Sequence, residues 1–155
     1  MLRRTLPLFA CIALISLCVA SNAAEKKISK DALPAAVQQT AAAQSAGATI
    51  TGYSQDREDG KLEYEVEMMV AGHSKDVTIA PDGQLLEVEE QVELSTLAAS
   101  VQAGLHKKAG QGLITKVESL TKHGTLVAYE AQVHKGARHF EVQVGSQGQT
   151  LAHEE

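Results

Sequence analysis

The chain has 155 residues, 19 of them acidic against 14 basic, and only two cysteines, Cys11 and Cys18. The acidic excess argues against nucleic acid as a partner, which would require a basic surface. With both cysteines inside the first 20 residues, the rest of the chain has no disulfides, thiol nucleophiles or thiolate metal sites.

Residues 1–23 read as a secretory signal peptide. Arg3 and Arg4 form the charged start and Leu6 to Ala20 the apolar run, which is too short to span a bilayer. Ser21 and Ala23 are the small residues before a signal peptidase cut, placed after Ala23 or, second, after Ala24. Lipidation is disfavoured, because Cys18 follows Leu17 and Cys11 lies too early in the run. The processed chain keeps 12 basic residues against 19 acidic ones, a net charge of about −7. No second long apolar run follows, so the expected product is periplasmic or secreted, with no stable membrane insertion after cleavage.

The next segment predicts a helix, with Asp31 as N-cap, Pro34 in the first turn, Leu33, Val37 and Ala41 on one face and Gly47 at the end. A first strand is expected around Ile50, though its alternation is blurred. From Leu62 to Val70 the alternation is clear: Leu62, Tyr64, Val66, Met68 and Val70 face inward, and Glu63, Glu65, Glu67 and Met69 face solvent. A turn at Ala71-Gly72 leads to Val77 and Ile79. Pro81-Asp82-Gly83 then turns into a last strand with Leu86 and Val88. The order then repeats. A helix capped by Ser95 carries Leu97, Val101 and Leu105 and ends at Gly110, followed by a strand around Ile114. Another strand has Val127, Tyr129, Ala131 and Val133 inward, a turn at Gly136 precedes Phe140, Val142 and Val144, and Gln147-Gly148 precedes a last strand at Leu151.

That repetition is visible residue by residue. Leu33, Ala35, Val37, Gln38, Ile50, Thr51 and Gly60 recur 64 positions later as Leu97, Ala99, Val101, Gln102, Ile114, Thr115 and Gly124. After one inserted residue, Tyr64, Glu65, Gly83, Gln84, Leu86, Glu89 and Glu90 recur 65 positions later as Tyr129, Glu130, Gly148, Gln149, Leu151, Glu154 and Glu155. The expected organisation is therefore unit one over 24–93 and unit two over 94–155, joined at the acidic stretch Glu89 to Glu93. Each unit should be a helix on a four-stranded antiparallel sheet, an α+β arrangement. Units of roughly 60 residues are marginal alone, which favours one body.

Catalytic signatures are missing: there is no HExxH, phosphate-cradling glycine loop or GxSxG elbow, and the chain reads as non-enzymatic with no cofactor. His134 and His139 should face each other across a two-residue turn at Gly136-Ala137. They read as solvated edge histidines rather than metal ligands, since unit one has Met69 and Ser74 in their places. The open sheet face of unit one carries Glu63, Glu65, Glu67, Asp76, Glu87 and Glu89, and that of unit two Glu130, Gln132, His134, His139, Glu141 and Gln143. From these, Glu65, Glu67, Met69, Glu130, Gln132, His134 and His139 form a candidate face for a basic or polar protein partner. The wet side of an ordinary antiparallel sheet presents the same residue types, and that is the first reading of them.

Leu33-Pro34 opening a helix, then Tyr64-Glu65-Val66-Glu67, then Asp82-Gly83-Gln84 before Leu86 and Glu87, together resemble the PepSY-like, beta-lactamase-inhibitor-like family of exported bacterial proteins. The resemblance covers nearly all of the processed chain, and its motifs are structural. It implies a helical segment on a four-stranded antiparallel sheet, with tandem copies joined into one concave sheet whose exposed face grips a partner protein. Related domains are thought to restrain secreted peptidases. No inhibitory loop matches residue by residue, so no binding residue is carried over. The expected role is an exported binding or inhibitory module acting on another envelope or secreted protein, a peptidase being one candidate. The alternative is a periplasmic protein that binds or senses a small ligand or divalent cation.

Overall fold

The computed structural model of the protein describes residues 25–58 and 60–155. The expected signal peptide, with its two cysteines and its cleavage point, lies outside the described residues. In chain order the elements are β1 (Lys26–Lys27), α1 (Ala35–Gln44), β2 (Thr49–Glu58), β3 (Lys61–Val70), β4 (His73–Ile79), β5 (Leu85–Gln91), α2 (Ala99–Ala109), β6 (Leu113–Lys122), β7 (Thr125–Lys135) and β8 (Arg138–Gly145). A single 3-10 turn precedes each helix, at Lys30–Ala32 and Leu94–Thr96. The eight strands form one antiparallel sheet in sequence order. β5 and β6 pair directly, from Glu87 opposite Lys122 to Gln91 opposite Glu118, although α2 lies between them in the chain. The sheet therefore runs unbroken through the expected join.

Cross-strand partners share a face of a sheet, and the register puts both helices on the same one. Val88 lies opposite Thr121 and Glu90 opposite Ser119, while Ser119 lies opposite Tyr129. Tyr129 in turn packs against the cluster beneath α2. Under α1, Leu33, Val37 and Ala41 cover Tyr64, Val66, Met68, Val77 and Ile79. Under α2, Val101, Leu105 and Ala109 cover Val117, Ala131, Val133, Val142 and Val144. Each fully buried aliphatic side chain contributes about 1.5–3 kcal/mol of transfer free energy, and these two small clusters hold the helices down. The inward set expected of β3 is thus found, except that Val70, at the strand end, is 37% exposed.

Neither helix starts where its expected cap stands. Asp31 and Ser95 sit in the 3-10 turns, and Pro34 and Ala98 occupy the N-cap positions with no side-chain cap. A residue before proline is pushed out of the helical region, so Leu33 is extended (φ −72°, ψ 139°), and Leu97 takes the same path. Gln38 Nε2 instead donates to the Leu33 carbonyl at 2.9 Å, and Gln102 Nε2 to that of Leu97 at 2.8 Å. This shared bond accounts for the recurring glutamine.

Two further expectations are corrected. In β5 a register shift opposite Thr78 and Ile79 turns Leu85, rather than Leu86, toward the core. After α2 only three strands form, and Leu151 lies outside any strand. β5 is paired on both sides, by β4 and β6, whereas a strand at Leu151 would have only β8 beside it. At the other edge, β1 adds a short strand that the sequence did not announce.

Candidate functional site

The face opposite the helices is covered by neither of them, and the register reads it off as rows of side chains across the sheet. One row runs Ser54, Glu65, Thr78, Glu87 and Lys122. The next runs Gly52, Glu67, Asp76, Glu89, Leu120, Ala128 and Gly145. A third carries Gln91, Glu118, Glu130 and Gln143, joined by Ser74, whose N–H donates to Gln91 Oε1 at 3.1 Å and whose hydroxyl donates to Glu118 at 3.2 Å. Glu67 lies flat over Gly52: a β-carbon there would stand 2.8 Å from its carboxylate.

At the centre, Asp76, Glu89 and Glu118 each bring a carboxylate oxygen within 4.8 Å of the others. Burial and then the charge of Glu118 hold Asp76 above its ordinary value, with Lys116 opposing. Glu89 is pushed up to about 8 by burial first, then by its hydrogen bond and like charge with Glu87 and by the charges of Glu118 and Glu130. Glu65 is raised by burial and then by Asp76, against the bond from Ser54, whose hydroxyl donates to it at 3.2 Å. Glu130 is raised mainly by burial, against a 2.6 Å bond from Gln143 Nε2. Lys116 pairs with Glu118 at 2.6 Å and Lys122 with Glu87 at 3.5 Å. Among the described residues, Glu65, Glu67, Glu89 and Glu130 make no ion pair.

All seven candidate residues fall on this face, but not in one place. Glu65, Glu67 and Met69 stand on β3, Glu130, Gln132 and His134 on β7, and His139 on β8. Four strand spacings separate β3 from β7, about 19 Å. Glu65 and Glu67 are half-buried rather than directed freely into solvent, while Met69 is exposed. His134 and His139 do oppose each other across the β7–β8 hairpin, their rings edge to face with centroids 3.9 Å apart. Two nitrogens fall short of the three or four protein ligands zinc takes. The central triad offers three oxygens where a calcium-type cation takes six to eight. Glu118 and Ser74 were not among the candidates. The alternation of β6 that would have exposed Glu118 is broken by shifts at Ile114/Lys116 and Leu120/Thr121.

No protein-family model matches the chain, and no curated protein matches it. Solved structures do. One is a protein of Bacteroides eggerthii assigned to the periplasm, at 16% identity and a TM-score of 0.62, with 76% of this chain and 84% of that one covered. Another is a BLIP-like protein of Bacteroides fragilis, at 18% identity and a TM-score of 0.56 over 79% and 85%. A third is a DUF2874 family protein of Bacteroides ovatus, at 17% identity and a TM-score of 0.58 over 75% and 82%. Identities this low speak for the fold alone. On that footing, the chain is an α+β protein with the BLIP-like fold.

Proposed function

We propose that the protein is an exported, non-enzymatic binding or inhibitory module, built from two tandem PepSY-like units, that docks a protein of the envelope or a secreted protein on its helix-free face. A peptidase is the partner class that the family resemblance brings forward. One observation carries the reading: carboxylates gather on a sheet face that neither helix covers, several of them without a cation, so a basic surface laid on it would relieve their repulsion. Fold similarity to one protein called BLIP-like and to one assigned to the periplasm is in keeping with that role and place, and shows the fold alone. Among the described residues no helix is long and apolar enough to cross a membrane.

The test is retention of periplasmic proteins on the immobilised chain, wild type against Glu65→Gln with Glu67→Gln, and then against the corresponding lysine pair. Because both residues are half-buried, the isosteric glutamines come first and the melting point of each variant is checked. The expected outcome is a protein held by wild type, weakened by salt and lost from the folded variants. An identical retained set on every column refutes the acidic face. The second reading, divalent-cation binding, draws on the convergence of Asp76, Glu89 and Glu118. Calorimetric titration with calcium and zinc decides it: heat that disappears in Glu118→Gln would favour a cation over a protein.

A further inference from the structure

Segment 149–155 does not continue the sheet but turns back over the open face. The Gln149 side chain lies against Gly145 on the side where a β-carbon would project, and that side is the open face, because Gly145 pairs with Ala128 and Gln143 with Glu130. The Gln149 carbonyl accepts from the Gly145 N–H at 2.9 Å. Six residues on, the Glu155 N–H donates to Gln143 Oε1, also at 2.9 Å. The two anchors straddle the end of β8. Near them, Gln143 is 7% exposed and Ala128 fully buried, although both belong to the face that no helix covers.

The corresponding stretch of unit one, 65 positions earlier, behaves differently. There, Leu86, Glu89 and Glu90 lie in β5, between β4 and β6. Leu151, Glu154 and Glu155 have the same sequence pattern but lie in no strand, with Leu151 half-buried, Ala152–Glu155 exposed, and Glu155 held to Gln143 of the open face. The seat is electrostatically poor. Glu155 is anchored to Gln143, which itself donates to Glu130, so two acidic residues of the segment rest beside a carboxylate, with Glu141 on the neighbouring strand. A basic chain in the same seat would keep the backbone donor to Gln143 and replace repulsion by attraction.

We propose that residues 150–155 form a displaceable strap over the unit-two half of the open face, and that a basic, extended peptide segment of the docking partner takes its place. This rests on the docking reading above and deepens it by naming the seat and the chemistry of the occupant. A strap closed for nine-tenths of the time reduces the apparent affinity of a competing ligand about tenfold.

The probe is hexalysine, titrated into the isotopically labelled processed chain and followed by amide resonances and calorimetry. In the free protein the Glu155 amide should be protected from exchange. Probe binding should shift the resonances of 150–155 and remove that protection. A chain stopped after Gln149 should bind about tenfold more tightly. Glu154→Lys with Glu155→Lys, which makes the strap a better occupant of its own seat, should bind about tenfold more weakly while keeping the native spectrum. Binding seen only in the shortened chain would support a strap that is almost always shut. A Glu155 amide that exchanges freely before any probe is added overturns the strap, as does a probe that perturbs Glu65 and Glu67 yet binds all three chains equally. In both cases the docking reading survives. No binding by any of the three removes the docking reading and the strap together.

Discussion

Glu89 stands where three like charges and a half-closed surface meet, and its carboxyl is held at about 8 against an ordinary 4.5. Folding therefore takes up a proton between those values. The stability tied to this proton is fully present below pH 4.5 and is lost as pH rises toward 8. Glu65, Asp76 and Glu130 shift in the same direction, so the open face as a whole should loosen on alkalinisation. Thermal melts at stepped pH check this: wild type should lose melting temperature from pH 5 to 8, and Glu89→Gln should lose less. The variant should melt higher than wild type at pH 8 and show no advantage at pH 4.5, whereas parallel pH profiles would deny the shift. On the opposite face the two recurring tyrosines are not equivalent. Tyr64 is 7% exposed within the core, while Tyr129 only flanks its cluster. Tyr64→Ala should cost about 3 kcal/mol or more in chemical denaturation, the range for deleting a buried aromatic, and Tyr129→Ala clearly less. Equal losses would put both rings at the same depth.

At the level of elements, the turns that seat the helices matter more than helix propensity. Gly83 and Gly148 both have positive φ, 90° and 83°, and both press on the start of a helix. A β-carbon on Gly83 would stand 2.9 Å from the Ala36 carbonyl oxygen, and one on Gly148 would collide with that of Ser100. Thr40 Oγ1 donates to the Gly83 carbonyl at 2.7 Å and fixes the first of these contacts. Gly72 has the same kind of φ, 90°, but open space around it. Gly72→Ala should therefore cost only the left-handed conformation, about 1–2 kcal/mol. Gly148→Ala should cost visibly more, because α2 must also move, and denaturant midpoints of the two variants compare them directly. The glycines could be read from their recurrence 65 positions apart, as could β3, whose side chains strictly alternate. β2 and β6 could not be read as well, since a bulge reverses the face of every residue beyond it. That is why Glu118, central to the open face, is not legible from alternation. The strap is not legible for another reason: Leu86 to Glu90 and Leu151 to Glu155 are alike as sequence, and only the strand available on the far side of β5 distinguishes their fates.

At the scale of the whole molecule, the two helix-covered clusters are separate, but the sheet beneath them is continuous, and the seam between β5 and β6 is a working part of it. Besides five residue pairs in register, the seam is closed by the His123 N–H to the Leu86 carbonyl and the Val92 N–H to that of Val117, both at 2.9 Å. Ser74 reaches across to Glu118, and Lys122 to Glu87. Val92 and Leu94, from the end of unit one and the start of unit two, both pack on the cluster beneath α2. Cutting the chain between residues 92 and 93 would expose two strand edges with all their unpaired backbone groups and take Val92 from the cluster it serves. Each piece would keep a core too small for its length. Expressed separately, 24–92 and 93–155 should each lack a cooperative melt at the temperature of the intact protein, and equimolar mixing should restore one by re-forming the seam. The measurement is calorimetry of each piece, of the mixture and of the whole chain. Two pieces that each melt cooperatively near the full-length temperature would mean that the halves are independent, and the face they share would have to be treated as two.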